Sequence, residues 1–424
     1  MSKYRKYERY KDSGVEWIGE IPKEWEIANL GYKSKMIVPM RDKPTEFSGD
    51  IPWIRIEDVD DKYIEDSKSG QRVSIELVKE MNLKVYPIGT VLCTCSCNMG
   101  TTVIVKRPVV SNQTFIGIVP NNKLLDSTFL YYAMNSNSGR LQYLGEGAIQ
   151  QYLSKHDFEH LKLVFPTINE QKAIANFLDQ KTAEIDGLIA DKGKLIELLQ
   201  GKRQAIIGEA VTKGLNQNVR MKDSRIKWIG EIPEHWEVTK IKYAFYNLDY
   251  MRIPLSSEER GLMGNKVYDY YGASGVIDTV DDYIFDDTLI LIGEDGANLY
   301  SRSTPLAYLA TGKFWVNNHA HILKPKKGNI NYFVNLLESI DYTIYISGSA
   351  QPKLTQERLG SISIPIPPGS EQNLIGDYLV VETLKIDTLI TNISTQIQKL
   401  KEYRQSLISE AVTGKIDVRD YVVG

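Results

Sequence analysis

Apolar residues at Ile185, Ile189, Ile196, Leu199 and Ile206 recur at intervals of three, four and seven through a proline-free stretch, 169–213, that is otherwise mainly polar. That spacing predicts one long amphipathic helix. Asn169 stands where a cap is expected, and Gly214 lies just past the end, where a left-handed residue closes a helix. At about 1.5 Å per residue the helix is roughly 65 Å long, and so long a stripe needs a partner to cover it. The chain supplies one. Residues 370–414 repeat the pattern at a constant offset of 201, with Glu170-Gln171 returning as Glu371-Gln372 and Glu209-Ala210-Val211-Thr212 as Glu410-Ala411-Val412-Thr413. The stripe residues map onto Ile386, Ile390, Ile397, Leu400 and Leu407 with no insertion or loss. Two equal copies favour paired rods that act as a spacer over ordinary core packing.

The segments before each rod show short β-branched and aromatic runs broken by Gly, Pro, Asn and Asp. In the first segment the expected strands are 50–56, 89–96, 101–105, 115–119 and 161–165, with a helix at 127–143. In the second they are 266–271, 288–292, 321–324 and 361–366, with a helix at 330–342. Trp17-Ile18-Gly19-Glu20-Ile21-Pro22 and Trp25 return as Trp228-Ile229-Gly230-Glu231-Ile232-Pro233 and Trp236, at an offset of 211, so the second segment is ten residues shorter than the first. The chain is therefore one unit written twice, globular domain then helix. The expected fold class is α+β: two mixed, strand-rich domains alternating with two long helices in a pseudo-twofold internal repeat. The expected boundaries are domain 1–168, helix 169–213, domain 214–369, helix 370–413 and tail 414–424.

The 424 residues exceed one ordinary core, and a hydrophobic fraction of 42 % with 25 % charged residues is that of a soluble globular chain. No apolar run is long enough for a membrane span, and the charged start MSKYRKYERYKDSG is no export signal. Three cysteines without such a signal point to a reducing cytoplasm. A net charge of −3 counts against a nucleic-acid binder unless acidic rods offset basic clefts.

Chemistry-bearing motifs are few. Cys93, Cys95 and Cys97 alternate along an expected strand, a spacing that fits a buried apolar face better than a zinc site lacking a fourth ligand. No phosphate-cradling Gly-x-x-x-x-Gly-Lys-Ser/Thr loop and no methyl-donor turn is present. His319 and His321 read as hydrogen-bonding or packing residues rather than general bases. No catalytic residue and no metal ligand is assigned. Polar clusters suited to nucleic acid do occur in the loops: Lys106, Arg107, Asn112, Gln113, Gln150, Gln151 and Lys155 in the first domain, and Arg252, Asn298, Arg302, Asn317, Asn318, His319, Gln351 and Lys353 in the second. Arg and Lys suit guanine edges and phosphates, while Asn and Gln suit adenine. A shared frame with divergent interiors is suited to reading two versions of one kind of ligand, and rods of fixed length would hold the two sites at a fixed separation. DNA is a ligand with that geometry.

Taken together, the WIGEIPxxW opening of each half, the variable interior and the closing EQxxI…AVTxG helix resemble the specificity subunit of type I restriction-modification enzymes. The resemblance spans nearly the whole chain. It implies two target-recognition domains, each reading half of a split DNA sequence, and helices packed as an antiparallel coiled coil. It also implies a chain that does no chemistry and binds no cofactor itself. Its partners would be double-stranded DNA, two modification subunits that methylate adenine with S-adenosylmethionine, and restriction subunits driven by ATP and Mg. The competing readings are a coiled-coil scaffold without DNA and a fragment of a single-chain methyltransferase-nuclease.

If the rods are the ruler, four heptad-compatible residues inserted after Leu199 lengthen one by roughly 6 Å. The preferred gap between half-sites should then grow by one or two base pairs at about 3.4 Å each. Binding should weaken as well, because each added pair rotates the second site by about 34–36°. A selection from DNA with constant half-sites and a varied spacer measures this, and an unchanged preference in a folded, assembled variant refutes the ruler.

Overall fold

The computed structural model describes residues 4–40, 42–96, 98–146, 152–348 and 351–421. They form two compact units: Met1–Lys192 with Thr395–Gly424, and Gly193–Ser394. Each long helix thus gives one half to each unit. Among the described residues no helix is long and apolar enough to cross a membrane.

The two units build their main sheets in the same strand order despite dissimilar sequences. In the first, five strands run Ser34–Ile37, Phe115–Pro120, Val91–Thr94, Thr102–Val105 and Tyr63–Ile64. In the second, Phe245–Asn247, Ala320–Pro325, Phe285–Gly293, Ala307–Val316 and Tyr268–Gly272 follow the same order, and Gly275–Val280 adds a sixth strand. The first three pairings are antiparallel and the fourth is parallel in both. Among the described residues, a three-stranded sheet of Val110–Ser111, Ile51–Ile54 and Arg72–Val73 is found in the first unit and not in the second.

One helix packs on each sheet, Ser127–Ser136 capped by Asp126 and Ile330–Ser339 capped by Asn329. Each cap is tied to the start of a long helix by a buried glutamine. Gln171 accepts from the Asp126 amide at 2.9 Å and donates to the Pro166 carbonyl at 2.9 Å. Gln372 accepts from the Asn329 amide at 3.0 Å and donates to the Pro367 carbonyl at 2.9 Å. A buried amide that loses such partners costs about 1–3 kcal/mol. That cost gives a physical reason for the repeated Glu-Gln pair.

Several expectations need correction. The first long helix is Ile168–Lys213 and the second Gly369–Val412, so Asn169 lies inside the first turn rather than capping it. The helix expected over 127–143 is two, because the Asn137 side chain turns back to the Ala133 carbonyl at 2.8 Å and a second helix starts at Ser138. The helix expected over 330–342 ends at Ser339, and Ile340 is extended. Strands Ala307–Val316 and Gly275–Val280 were not expected; Gly312 at φ +83° lies within the first and Gly275 at φ +113° opens the second. Cys93 and Cys95 are fully buried, whereas Cys97 falls outside the described residues. Burial pushes the Cys93 thiol well above its usual range.

Along the rods Ile185, Ile386 and Leu407 are buried, and Ile189, Ile196, Leu199, Ile206, Ile390, Ile397 and Leu400 are half-buried. Ile393 is buried too, and its repeat-mate is Lys192. In the first unit Arg404 pairs with Asp186 at 2.9 Å, and Lys192 donates to Gln396 at 2.6 Å. Numbers rise on one helix as they fall on the other, so the halves run antiparallel. In the second unit Arg203 pairs with Asp387 at 3.0 Å, the same pair displaced by the repeat. These pairs are partly exposed and contribute about 0–1 kcal/mol each, so they specify register more than stability.

Both rods close on a left-handed glycine set against a frame tryptophan, Gly214 (φ +75°) on Trp236 and Gly414 (φ +73°) on Trp25. Beyond Gly414 the tail docks on the first domain, where Lys415 donates to the Ile18 carbonyl at 3.1 Å and Asp417 bonds the Arg5 carbonyl at 2.8 Å. A Cβ at Gly414 would lie 2.4 Å from Pro22 Cδ and 2.9 Å from Trp25, against 3.1 Å from Trp236 at Gly214. Gly414→Ala should therefore destabilise the first unit by about 2–5 kcal/mol, joining backbone strain to overpacking. Gly214→Ala should cost the second unit roughly 1–2 kcal/mol. Chemical unfolding of the two variants measures this, and equal losses would refute the packing argument.

Candidate nucleic-acid interface

At one end of each main sheet the strands hand over to loops, and a repeated backbone bond gathers those loops. Leu153 donates to the Cys95 carbonyl at 2.8 Å in the first unit, and Leu354 to the Glu294 carbonyl at 2.8 Å in the second. The bond makes Glu294 the structural counterpart of Cys95, although the flanking sequences do not match.

In the second unit four segments meet there: the turn Asp249–Met251 with Arg252, the loop after Phe285–Gly293, residues 317–320, and residues 351–354. Glu294 donates its amide to the His319 carbonyl at 2.9 Å, and Gly296 to the Pro352 carbonyl at 3.1 Å. Ion pairs complete the knot. Arg252 bonds the Glu294 carboxylate and the Ala320 carbonyl, the latter at 2.9 Å. Lys353 meets the other Glu294 oxygen at 3.1 Å, and His319 faces Asp295 at 2.8 Å. Beneath them the His321 ring contacts Asp249 at 2.6 Å. Burial alone would raise the Asp249 and Glu294 carboxyls, but the bond from His321 to the first and from Arg252 to the second hold both below the usual carboxylate range. Asp249, Glu294 and His321 have donor atoms within 4.8 Å of one another, a spacing a metal could use. Here those atoms already face Arg252, Lys353 and each other, so the donor set does not fit a cation.

Of the residues expected in this domain, Asn318, His319, Gln351 and Lys353 are exposed on the loop cluster, while Asn317 is buried and accepts the His319 amide at 2.8 Å. Arg252 is largely enclosed within the knot. Asn298 closes its own loop, bonding the Thr304 amide and carbonyl at 3.0 and 3.1 Å. Arg302 is not directed at the cluster. Its guanidinium bonds the Ile340 carbonyl at 2.8 Å and the backbone and side chain of Glu338, which closes the end of the Ile330–Ser339 helix. Tyr250 and Tyr300 are exposed at 80 % and 52 % beside the knot, and the sequence reading did not single them out. Their only signal was a position flanking expected loop residues.

The structure divides the residues expected in the first domain. Asn112, which accepts the Thr114 amide at 3.2 Å, and exposed Gln113 lie at the Cys95 end, with Lys155 two residues beyond Leu153. Lys155 pairs with Glu159 at 3.3 Å in a short helix. Val91 lies opposite Ile104, and Cys93 opposite Thr102, so Lys106 and Arg107 fall at the other end of the sheet. There Lys106 sits 4.1 Å from the Tyr63 ring and Arg107 donates to the Asp50 carbonyl at 2.6 Å. Gln150 and Gln151 lie outside the described residues.

A second feature recurs in both units. A cleft of about 760 Å³ in the first is lined by Thr101, Thr102, Asn135, Asp186 and Arg404 among others, and one of about 780 Å³ in the second by Thr304, Pro305, Glu338, Asp387 and Arg203. Each contains the interhelical Arg–Asp pair.

Residues 22–198 and 233–401 match the family described as the type I restriction modification DNA specificity domain. The type I restriction enzyme MjaVIII specificity subunit of Methanocaldococcus jannaschii is 25 % identical over 94 % of this chain and 95 % of its own length. The MjaIX specificity subunit of the same organism is 25 % identical over 99 % of each. Among solved structures, one from work on complex assembly and conformational transition of the type I R-M system superposes with a TM-score of 0.67 at 15 % identity, covering 92 % of this chain and 98 % of that one. The HsdS subunit from Thermoanaerobacter tengcongensis gives a TM-score of 0.51 at 15 % identity, covering 93 % and 98 %. At that identity the likeness is one of fold.

The knot sets a pH dependence. Asp249 and Glu294 have lowered folded pKa values, so the stability they add to the second unit is fully present above the ordinary carboxylate range, about pH 4, and is lost as pH falls through the folded values. Glu294→Gln leaves Arg252 enclosed without its nearest anion and should cost roughly 3–5 kcal/mol. Arg107→Ala should change stability by less than about 0.5 kcal/mol. Denaturant unfolding at neutral and acid pH checks both, and a Glu294→Gln variant as stable as the parent refutes the knot.

Proposed function

Because the chain belongs to the family of the type I restriction modification DNA specificity domain, we propose that it is the specificity subunit of a type I restriction-modification complex and reads a bipartite DNA target. One observation carries this reading: two domains gather unlike polar loops at the same end of the same sheet frame. The chain is non-catalytic and confers sequence choice on subunits that do the chemistry.

In this reading residues 1–168 and 214–369 are the recognition domains, 169–213 and 370–413 the spacer helices and 414–424 the tail. Asn112, Gln113 and Lys155 face the first half-site, and the expected contacts Gln150 and Gln151 are assigned to it as well. Asn318, His319, Gln351 and Lys353 face the second, with Arg252 and Asn317 holding their loops. Amide side chains are matched to adenine edges and the cations to guanine edges or phosphates. Lys106 and Arg107, at the far end of the first sheet, suit a phosphate contact outside the half-site. The net charge of −3 is no obstacle, since contact depends on local loops rather than total charge.

The two equivalent clefts, near equal in volume, support docking of two modification subunits, one at each Arg–Asp pair. Those subunits would supply S-adenosylmethionine chemistry, and restriction subunits would bring ATP and Mg, all in the cytoplasm. A scaffold without DNA leaves the unlike loops without a use.

Replacing residues 226–369 with the equivalent segment of a relative, in the chain assembled with its modification subunits, should change one half of the DNA sequence recovered by binding selection. The other half should stay as it was. A change in both halves, or in neither, would overturn independent reading.

A further inference from the structure

His321 lies at the centre of the second unit's knot, 1 % exposed. Its Nε2 is 2.7 Å from the Leu354 carbonyl oxygen, and its Nδ1 is 2.6 Å from Asp249 Oδ2. A carbonyl oxygen only accepts, so Nε2 carries a hydrogen. In a neutral ring Nδ1 would then present a lone pair to a carboxylate oxygen, a repulsive contact at that distance. A proton must sit between them. Asp249 is the poorer place for it: Oδ1 already accepts the Ile322 amide at 2.8 Å, and the Arg252 guanidinium stands 3.8 Å from Oδ2. Both ring nitrogens thus face acceptors and are placed to donate, Nε2 to the Leu354 carbonyl and Nδ1 to Asp249.

Among the described residues the first unit has uncharged side chains at the corresponding positions. Glu294 corresponds to Cys95 through the repeated leucine bond. His321 pairs with Ile292 across the sheet as Ile116 pairs with Cys93. The position of His321 is therefore occupied in the first domain by Ile116, fully buried and apolar. One recognition domain is tied by an ionic knot and the other by apolar contacts.

We propose that His321 is a positioning residue which, donating from both ring nitrogens, ties the Asp249–Met251 turn to the 351–354 loop and so makes DNA reading by the second domain, but not the first, dependent on that tie. This rests on the DNA reading above. His321 touches no base. It fixes the backbone that presents Tyr250, Asn318 and Lys353. The charged groups around it are Asp249 and Arg252 on the turn, Glu294 at 3.8 Å on the adjoining loop, Lys353 opposite Glu294, and the exposed His319–Asp295 pair above. Without the Nδ1 donor Asp249 loses its nearest side-chain partner and the turn loosens.

Two measurements decide the matter. In the full chain labelled with ¹⁵N-histidine, the His321 signals, identified by their loss in His321→Gln, should show a hydrogen on both ring nitrogens. A neutral tautomer overturns the proposal whether or not any variant folds. Footprinting of the assembled complex on DNA carrying both half-sites should then show second-half protection falling in His321→Gln while first-half protection persists. His321→Gln and Asp249→Asn should each weaken the second half-site by roughly tenfold or more. The double variant, a neutral pair, should recover most of that loss, which a merely destabilised domain would not. If protection of both half-sites falls together, or neither responds, the positioning role is wrong while the DNA reading stands. If the second domain of the parent chain protects no DNA, the DNA reading fails and takes the proposal with it.

Discussion

An apolar stripe on a helix of 46 residues cannot be covered by the helix that carries it, and this constraint governs the rest of the molecule. Within each unit a half of one long helix lies antiparallel to a half of the other, and both pack against a globular domain. Ile174, Phe177, Leu178 and Ile185 join Leu407, Ile408 and Ala411 in one continuous core with the first domain. Ile207, Ala210 and Val211 join Ile375 and Leu379 in the core of the second. The frame residues follow from this. Trp25 and Trp236 must pack against a helix end, and the glycine there must be left-handed. The glutamine one residue after each repeated glutamate must clamp the cap of the domain helix. Each requirement is local and strict, which is why the same few residues appear twice.

The sheets face no such constraint. A strand buried on both faces needs only apolar residues of suitable volume, and its order in the sheet is held by backbone bonds that any residue but proline supplies. Five strands can therefore keep one order while their sequences diverge. Loops gathered by the Leu153 and Leu354 amides inherit the same freedom.

Legibility in the sequence divides along that line. Both long helices, the doubled frame and most central strands were visible, because periodicity and repetition record strict local demands. The break at Asn137 was not, since it depends on one side chain returning to a carbonyl inside an otherwise helical pattern. The strand Ala307–Val316 was hidden by its Gly312. The candidate interface was legible as a set of loops but not as an arrangement. Lys106 and Asn112 are six residues apart in sequence and at opposite ends of the sheet, whereas Arg252 and Lys353 are about a hundred residues apart and share Glu294. Arg302 looked like a contact residue because it is a loop arginine, and only the Glu338 and Ile340 carbonyls beside it reveal a cap.

The knots show how much chemistry one frame tolerates. At the junction where the first domain has Cys95 and Ile116, the second has Glu294 and His321, and these bring Asp249, Arg252 and Lys353 with them. A buried carboxylate is costly unless cations accompany it, so the ionic version can arise only as a set. The set lies wholly within one domain, and no frame residue takes part in it. A domain interior can therefore be replaced as a block, loops and knot together, while the helices, tryptophans and glycines that receive it stay unchanged. The charges of the knot thus close their bonds inside the domain whose loops they gather.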